Sequence, residues 1–363
     1  MEISINLTSS SLKSSSEPKK NIQISFDSFL KSQKNEAIER SFATKYKIEK
    51  IIGEGSFGKV QEVSSMFDLT KYAAKESAIP ATKSALFNEK YILDSLVEEE
   101  GFPRLKEFMN HELSHMLIMT LLGENLLTLQ KKCGGKFSLK TIAMIGMQAI
   151  NRLEVLHEKG FLHRDIKPEN FVIGLDSSNE NIIHLIDFGL SSRFLDKNGD
   201  HIPFSRNAQV VGTFYYLSVY EHLGIQASRR DDLISLGYML LHLFYGKTLW
   251  LENFSGKNEE KKKAFLQEKA TTPLKKLCEG IPELILYFEH VLQLKFKEKP
   301  NYKFLESIFS NMLHGKKDFP NDGIFDWKVS KSNKGIDLQA RKIFNKHLNN
   351  YKKEMMESKI EQE

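Results

Sequence analysis

Apolar residues change their spacing twice along the chain, and each change marks a different kind of structure. Up to about residue 44 the chain is rich in Ser, Lys and Asn, with few large apolar residues before Phe26, which predicts a disordered extension over 1–45. From Tyr46 apolar and polar positions alternate. Tyr46 to Ile52 reads as a strand running into a glycine-rich turn, Lys59 to Val63 resumes the alternation, and Lys71 to Glu76 is a third short strand. Residues 84–98 switch to helical spacing, with Leu86, Phe87, Ile92, Leu93 and Leu96 in phase, and a strand returns around His115 to Leu121. The expectation is a small, mostly antiparallel lobe carrying one main helix.

Beyond Gly123 the spacing becomes helical. Leu139 to His157 is one long amphipathic segment, Leu233 to Phe244 another, and shorter helices are predicted near 261–269, 281–294 and 302–312. There is no internal repeat. Residues 329–363 form a charged tail in which Ile343 to Met356 has amphipathic helical spacing. The fold class expected is α+β.

Composition narrows the setting. The 363 residues are 40% hydrophobic and 27% charged, the profile of a soluble globular protein. Cys133 and Cys278 are the only cysteines, so no disulfide framework is expected, and a reducing compartment (cytoplasm, nucleus or both) is the default. A net charge of +5 is too modest to argue for nucleic acid, but suits acidic or phosphorylated protein partners. The longest apolar stretch, Leu233 to Tyr245, is interrupted by Ser235, Gly237 and His242 and falls short of the ~18 apolar residues that a membrane span needs. No secretory signal is read at the N-terminus, and Glu2 stands where N-myristoylation needs a glycine. A monomer is the expectation.

Four motifs carry candidate chemistry. In Gly53-Glu54-Gly55-Ser56-Phe57-Gly58-Lys59-Val60 the glycines let backbone approach phosphates without a Cβ in the way. Dinucleotide sites use a similar spacing to open a helix; here the following residues alternate like a strand, which favours a hairpin lid over a nucleotide, with an ordinary glycine hairpin as the bland alternative. Lys75, flanked by Ala73 and Ala74, is placed to neutralise phosphates, and Glu89 on the next helix is its natural counter-charge, unless both are unrelated surface charges. In His163-Arg164-Asp165-Ile166-Lys167-Pro168-Glu169-Asn170, Asp165 can accept the proton of an attacking hydroxyl, Lys167 can hold the transferring phosphoryl, and Asn170 offers an amide oxygen to a hard cation. Asp187-Phe188-Gly189 follows the apolar run Ile182 to Ile186, so that a buried strand delivers a carboxylate for Mg²⁺.

In this order and at these separations the set resembles a eukaryotic protein kinase domain over roughly residues 46–328. The resemblance implies a bilobal kinase fold: an N-lobe at 46–119, a hinge at 120–123 and a larger helical C-lobe at 124–328. It implies ATP and Mg²⁺ as cofactors. Gly53, Gly55 and Gly58 match the lid, and Ile52, Ser56, Phe57, Val60 and Ala73 the rest of the nucleotide wall. Lys75 matches the phosphate lysine, Glu89 its partner, Met119 the gatekeeper and Leu122 the hinge. Asp165 matches the catalytic base, Asn170 and Asp187 the metal ligands, and Asp232 a buried aspartate that braces the catalytic loop. Thr213 is placed to dock near Asp165, as in serine/threonine-directed members. A scaffold lacking transfer chemistry would have lost Lys75, Asp165 or Asp187, and all are present; Arg229 to Asp232 and the Asp-Phe-Gly run argue against a small-molecule kinase.

The segment Ser218-Val219-Tyr220 to Arg230-Asp231-Asp232, with Leu121 to Gly123, Lys136 to Lys140, His201 to Pro203 and Phe325 to Trp327, resembles the casein kinase 1 family. That implies a serine/threonine kinase acting on residues preceded by acidic or phosphorylated positions, the upstream charge lying in a basic pocket. Arg206, Lys261 and Arg164 are the candidates for this pocket. Arg206 is one position later than the family's arginine, whose place Ser205 takes. Phe214, Tyr215 and Leu217 stand where the family has small residues and an arginine, and alter the substrate shelf; Lys247 to Trp250 lacks the family's proline. The resemblance suggests an enzyme active without activation-segment phosphorylation and restrained by its tail. For the short tail here, carrying Ser330, Ser332 and Ser358, inhibition and simple solvation both stay open.

Overall fold

The computed structural model describes residues 42–55, 58–78, 85–110, 114–247, 249–250, 258–314 and 320–332. The first lobe is a five-stranded antiparallel sheet with one helix against it. Strands β1 (Tyr46–Gly55) and β2 (Gly58–Ser65) form a hairpin, β3 (Lys71–Ala78) follows, helix α1 (Ala85–Ser95) crosses, and β4 (Leu105–Asn110) and β5 (Ser114–Thr120) close the sheet in the order β1-β2-β3-β5-β4. The expected strands are present. β4 is an addition to them: its register shifts between Leu105 and Glu107, which breaks the alternation that would have revealed it in the sequence.

Gly55 pairs with Gly58 at the hairpin end, and Gly58 has φ 126°. A Cβ there would stand 1.8 Å from the carbonyl oxygen of Glu76 on β3, so only glycine lets β2 lie this close. Ser56 and Phe57, the tip of the predicted lid, lie outside the described residues. The folded body begins before residue 46, contrary to the predicted boundary. Phe42 is buried, with its ring centroid 5.5 Å from that of Tyr46, because the sheet leaves an apolar gap with Val63, Ala74 and Ile118 that it fills.

The second lobe begins with α2 (Leu126–Lys132), capped by the Asn125 side chain, and the long α3 (Leu139–Glu158). Short strands β6 (Phe161–Leu162), β7 (Phe171–Ile173), β8 (Ile183–Leu185) and β9 (Ser192–Arg193) pair as β6-β9 and β7-β8. Helices α4 (Val219–His222), α5 (Arg229–Tyr245), α6 (Asn258–Thr271), α7 (Leu274–Leu277), α8 (Glu283–Gln293), α9 (Tyr302–His314) and α10 (Asp326–Ser332) follow. Apolar spacing predicts the start of α5 at Leu233. It begins at Arg229, because Ser228 and Asp231 form a capping box and Asp231 and Asp232 suit the positive end of the helix.

The predicted boundary at 328 falls inside α10. Phe325 and Trp327 are buried and stacked, centroids 4.4 Å apart, and Asp326 accepts from the Ser138 amide (2.6 Å) and hydroxyl (2.8 Å) at the start of α3. The folded body thus extends past the predicted end. The predicted helix at 343–356 lies outside the described residues. One apolar core runs from Leu86, Ile92 and Leu117 in the sheet lobe through Phe188 to Leu236, Tyr287 and Phe309 in the helical lobe. Among the described residues no helix is long and apolar enough to cross a membrane.

Candidate active site

The chemistry-bearing side chains converge between the lobes, each delivered by a different element. β3 carries Lys75, which is buried. Its Nζ lies 2.7 Å from Glu89 Oε2 on α1 and 2.7 Å from Asp187 Oδ1 after β8. The predicted Lys75–Glu89 pair is therefore real, and Asp187 joins it. Burial alone would lower the lysine, but the two carboxylates outweigh it and hold the ammonium above its usual range. Burial would likewise raise Asp187; the Lys75 charge and hydrogen bond keep it below the usual carboxylate range, so it is ionised at neutral pH.

Asp187 has φ 66°, a left-handed conformation that aims its carboxylate back at Lys75 while buried Phe188 anchors the turn. Phe188 packs 5.5 Å from the ring of His163, whose Nε2 lies 3.0 Å from the carbonyl oxygen of Ile186. Asn88, next to Glu89, donates to the carbonyl oxygen of Ser191 at 2.7 Å. It ties α1 to the Asp-Phe-Gly turn, so the helix that supplies Glu89 and the loop that supplies Asp187 move together. Sequence reasoning misses Asn88; its place beside Glu89 on the same helix is the only signal.

The catalytic loop hangs from Asp232 on α5. That carboxylate accepts from the backbone amides of His163 (2.7 Å) and Arg164 (2.8 Å) and lies 2.9 Å from His157 Nε2. Burial would raise it, but the His157 hydrogen bond and the surrounding donors hold it below the usual range. The brace fixes Arg164 in its strained conformation, φ 68°. Asp165 follows, 5% exposed. Lys167 Nζ donates to Asp165 Oδ2 at 2.6 Å and Thr213 Oγ1 to Oδ1 at 2.7 Å. Asn170 uses its amide nitrogen on the Asp165 carbonyl oxygen at 2.8 Å, which leaves its amide oxygen for a cation.

Beside this centre Ala73 pairs with Met119 across β3 and β5, Val60 pairs with Lys75, and Ile52 and Gly53 lie on β1 above them. The chain then leaves β5 through the expected hinge. The Thr120 amide is bonded to Arg104 and the Gly123 amide to Ile173; among the described residues the Leu122 backbone between them makes no backbone hydrogen bond. A free peptide edge flanked by apolar Met119 and Ala73 suits a flat heteroaromatic ring. No cluster of three His, Cys, Asp or Glu forms a metal cage among the described residues. Two protein oxygen ligands, Asp187 and Asn170, fit Mg²⁺, which keeps several waters and takes phosphate oxygens rather than filling an all-protein site.

Residues 213–217 form the shelf beside Asp165. The Tyr216 amide donates to the Thr213 carbonyl at 2.9 Å, the Tyr216 hydroxyl lies 2.6 Å from His242 Nδ1, and Lys269 Nζ donates to the carbonyl oxygens of Phe214 (2.9 Å) and Leu217 (2.6 Å). Of the candidates for a basic pocket, Arg164 and Arg206 do not line one cavity. Arg164 lines a small cavity with Val211, Glu221 and Ile225, where its nearest opposite charges are Glu221 and Asp232. Arg206 is exposed, 6.0 Å over the Phe204 ring, and does not line that cavity. The Lys261 side chain lies outside the described residues.

A lysine locked between two carboxylates, a braced loop presenting an aspartate, and an Asp-Phe-Gly turn between a sheet lobe and a helical lobe define a protein kinase. The family model for the protein kinase domain matches residues 46–314. The chain is 36% identical over 293 residues to casein kinase I homolog 2 from Schizosaccharomyces pombe, an alignment that takes in 80% of this chain and 67% of that protein. The chain belongs to the casein kinase 1 family of eukaryotic protein kinases. It is a serine/threonine protein kinase, of a fold that generally uses ATP and Mg²⁺.

Proposed function

We propose that this kinase transfers the γ-phosphoryl group of ATP to serine or threonine hydroxyls in acidic or already phosphorylated stretches of protein, acting as a monomer in the cytoplasm, the nucleus or both. The observation that carries the catalytic part is the state of Asp165. One of its oxygens takes a cation, Lys167, and the other takes a hydroxyl, that of Thr213. An acceptor serine or threonine presents the same kind of donor, and Asp165 orients it and receives its proton.

The neighbouring residues divide the remaining work. Lys75, fixed by Glu89 and Asp187, meets the α- and β-phosphates as a point charge, and the Gly53–Gly58 hairpin covers them and excludes water. Mg²⁺ held by Asp187 and Asn170 neutralises phosphate charge when bound. Lys167 stabilises the transferring group beside Asp165. Since little covalent chemistry falls to the protein, positioning and charge account for most of the rate.

Support for acidic substrates is the exposed Arg206, on a loop that the Ser205 carbonyl and Ala208 amide hold against residues 224–226. An arginine fork suits phosphate and carboxylate. The test is radiolabelled ATP on casein, with Asp187→Ala as control, followed by a peptide array with and without phosphoserine upstream of the target. Labelled serine and threonine in the wild type alone, with acidic or primed peptides preferred, is the expected result. No labelled polypeptide and no Mg²⁺-dependent nucleotide binding would overturn the catalytic reading; indifference to upstream charge would overturn the substrate reading.

A further inference from the structure

Lys269 stands out because a lysine seldom lies this deep. It is on α6, 7% exposed, walled by the rings of Tyr238 (5.1 Å from its Nζ), Trp250 (5.8 Å) and Phe265 (5.9 Å). An ammonium has three donors and no acceptor. Here it meets three acceptors: the carbonyl oxygens of Phe214 (2.9 Å) and Leu217 (2.6 Å), and His222 Nε2 (3.1 Å). Burial and then the Lys269 charge push His222 down to about 3, so its imidazole is neutral at ordinary pH and its Nε2 is free to accept. Burial also drives the Lys269 ammonium well below the usual lysine range, opposed by the Glu221 carboxylate. A buried cation so placed must be compensated by its contacts.

Two of the three acceptors fall on the shelf, and the third, His222, follows it on α4. Thr213, at one end of the shelf, is fixed to Asp165 Oδ1 at 2.7 Å, and the Tyr216 and Leu217 amides fold back on the Thr213 carbonyl. The Phe214 and Leu217 carbonyl oxygens both accept from the same ammonium. α6 also meets the shelf through side chains: the Phe265 ring lies 5.1 Å from that of Tyr215, and Lys262 Nζ sits 5.1 Å over the Phe214 ring. Among the described residues Lys75, Glu89, Asn170 and Asp187 have no contact with Lys269.

We propose that Lys269 is a positioning residue for the acceptor: it clamps the 214–217 backbone from beneath, and so fixes where the shelf holds a polypeptide hydroxyl relative to Asp165. This rests on the kinase reading above. It separates two halves of the reaction, because the clamp bears on the polypeptide and not on the nucleotide. Removing it frees two carbonyl groups to drift, and a shift of about 1 Å in a reacting partner is enough to cost up to about 10²-fold in rate.

The test is steady-state kinetics on the full chain with casein as acceptor, alongside ATP hydrolysis measured without casein. Lys269→Met keeps the volume and removes the donors. The expected result is a rise of about tenfold in the KM for casein, with the KM for ATP and the casein-free hydrolysis rate within about twofold of wild type. Tyr238→Leu is the control for packing, since it thins the aromatic wall, keeps the ammonium, and replaces a ring whose ring partners are Trp250 and Phe288 rather than shelf residues; it is expected to lower thermal stability without moving the casein KM. Equal effects of both variants on casein KM, or no effect of Lys269→Met, would overturn the proposal. If Lys269→Met does not fold, Lys269→Arg carries the test: a raised casein KM with an unchanged ATP KM supports the clamp, and an unchanged casein KM overturns it. A wild type that hydrolyses ATP but labels no casein would instead count against the kinase reading.

Discussion

Asp165 has both carboxylate oxygens committed, one to Lys167 and one to Thr213, and this pins its direction before any substrate arrives. Asp165→Asn keeps the shape and removes the proposed base. Turnover on casein is expected to fall by about 10²–10⁴-fold with nucleotide affinity little changed, read by labelling and by a nucleotide-binding titration. Lys75→Met leaves buried Glu89 and half-buried Asp187 as neighbouring carboxylates without their cation. Breaking a buried pair in this way costs about 3–5 kcal/mol, and a lower denaturant midpoint with an unchanged slope would show it. Lys75, Glu89, Asp165, Asn170 and Asp187 were legible in the sequence because phosphoryl transfer needs fixed residue types at fixed places along the chain. Asn88 and Lys269 were not. An asparagine or lysine on a polar-looking helix resembles a solvated one, and only packing reveals that Asn88 faces the Asp-Phe-Gly turn and that Lys269 is buried.

At the scale of elements, α10 and α4 carry the most consequential contacts. α10 plugs Trp327 against Phe137, centroids 5.4 Å apart, and caps α3 through Asp326. Trp327→Ala is expected to destabilise the chain by about 3–5 kcal/mol, measured by denaturant unfolding. In α4, Glu221 accepts from the Ser218 amide at 3.0 Å while Ser218 donates to Asp231 at 2.6 Å, which places two carboxylates around one serine. Burial raises both above the usual carboxylate range, and Asp231 reinforces the effect on Glu221. The folded chain therefore keeps protons that the unfolded chain releases, and this contribution to stability is present at acidic pH and lost as pH rises through the raised values, about 6 for Asp231 and about 8 for Glu221. Glu221→Gln is expected to flatten the fall in thermal midpoint that runs from the ordinary glutamate value of 4.5 up to about pH 8, and to raise the midpoint at the upper end of that window; an unchanged slope would show that the carboxylate does not titrate there. Strong periodicity made α3 and α9 readable. The missed elements are short, β4 and α2 among them: one is bulged, and the other owes its start to the Asn125 cap rather than to a long apolar face.

Across the whole molecule, function depends on two lobes sharing one core and on segments that reach beyond it. Removing residues 333–363 leaves α10 whole. An inhibitory tail requires casein turnover to rise after this truncation, and unchanged turnover defeats the idea. A cut at 330 is a poorer experiment, because it shortens α10 and mixes lost packing with lost regulation. Arg206→Ala is expected to reduce labelling of acidic and primed peptides several-fold while leaving neutral peptides unchanged, since the arginine is exposed and makes no hydrogen bond or ion pair to Asp165, Lys167 or Thr213 among the described residues.

The strand-rich first part, the long helices of the second and the residue types of the candidate centre are local or serial properties, set by hydrophobic period and by motif spacing, and the sequence alone determined them. Which distant side chains meet was decided by tertiary structure: Asp187 completing the Lys75 pair, Asp232 hanging the catalytic loop, Asp326 capping α3, and Lys269 reaching under the shelf. The same holds for the basic candidates, where Arg164 turned inward toward Glu221 and Asp232 while Arg206 stayed in solvent. The physical reason is that a charge's partner and burial depend on where remote chain segments pack, and spacing along one chain does not contain that information.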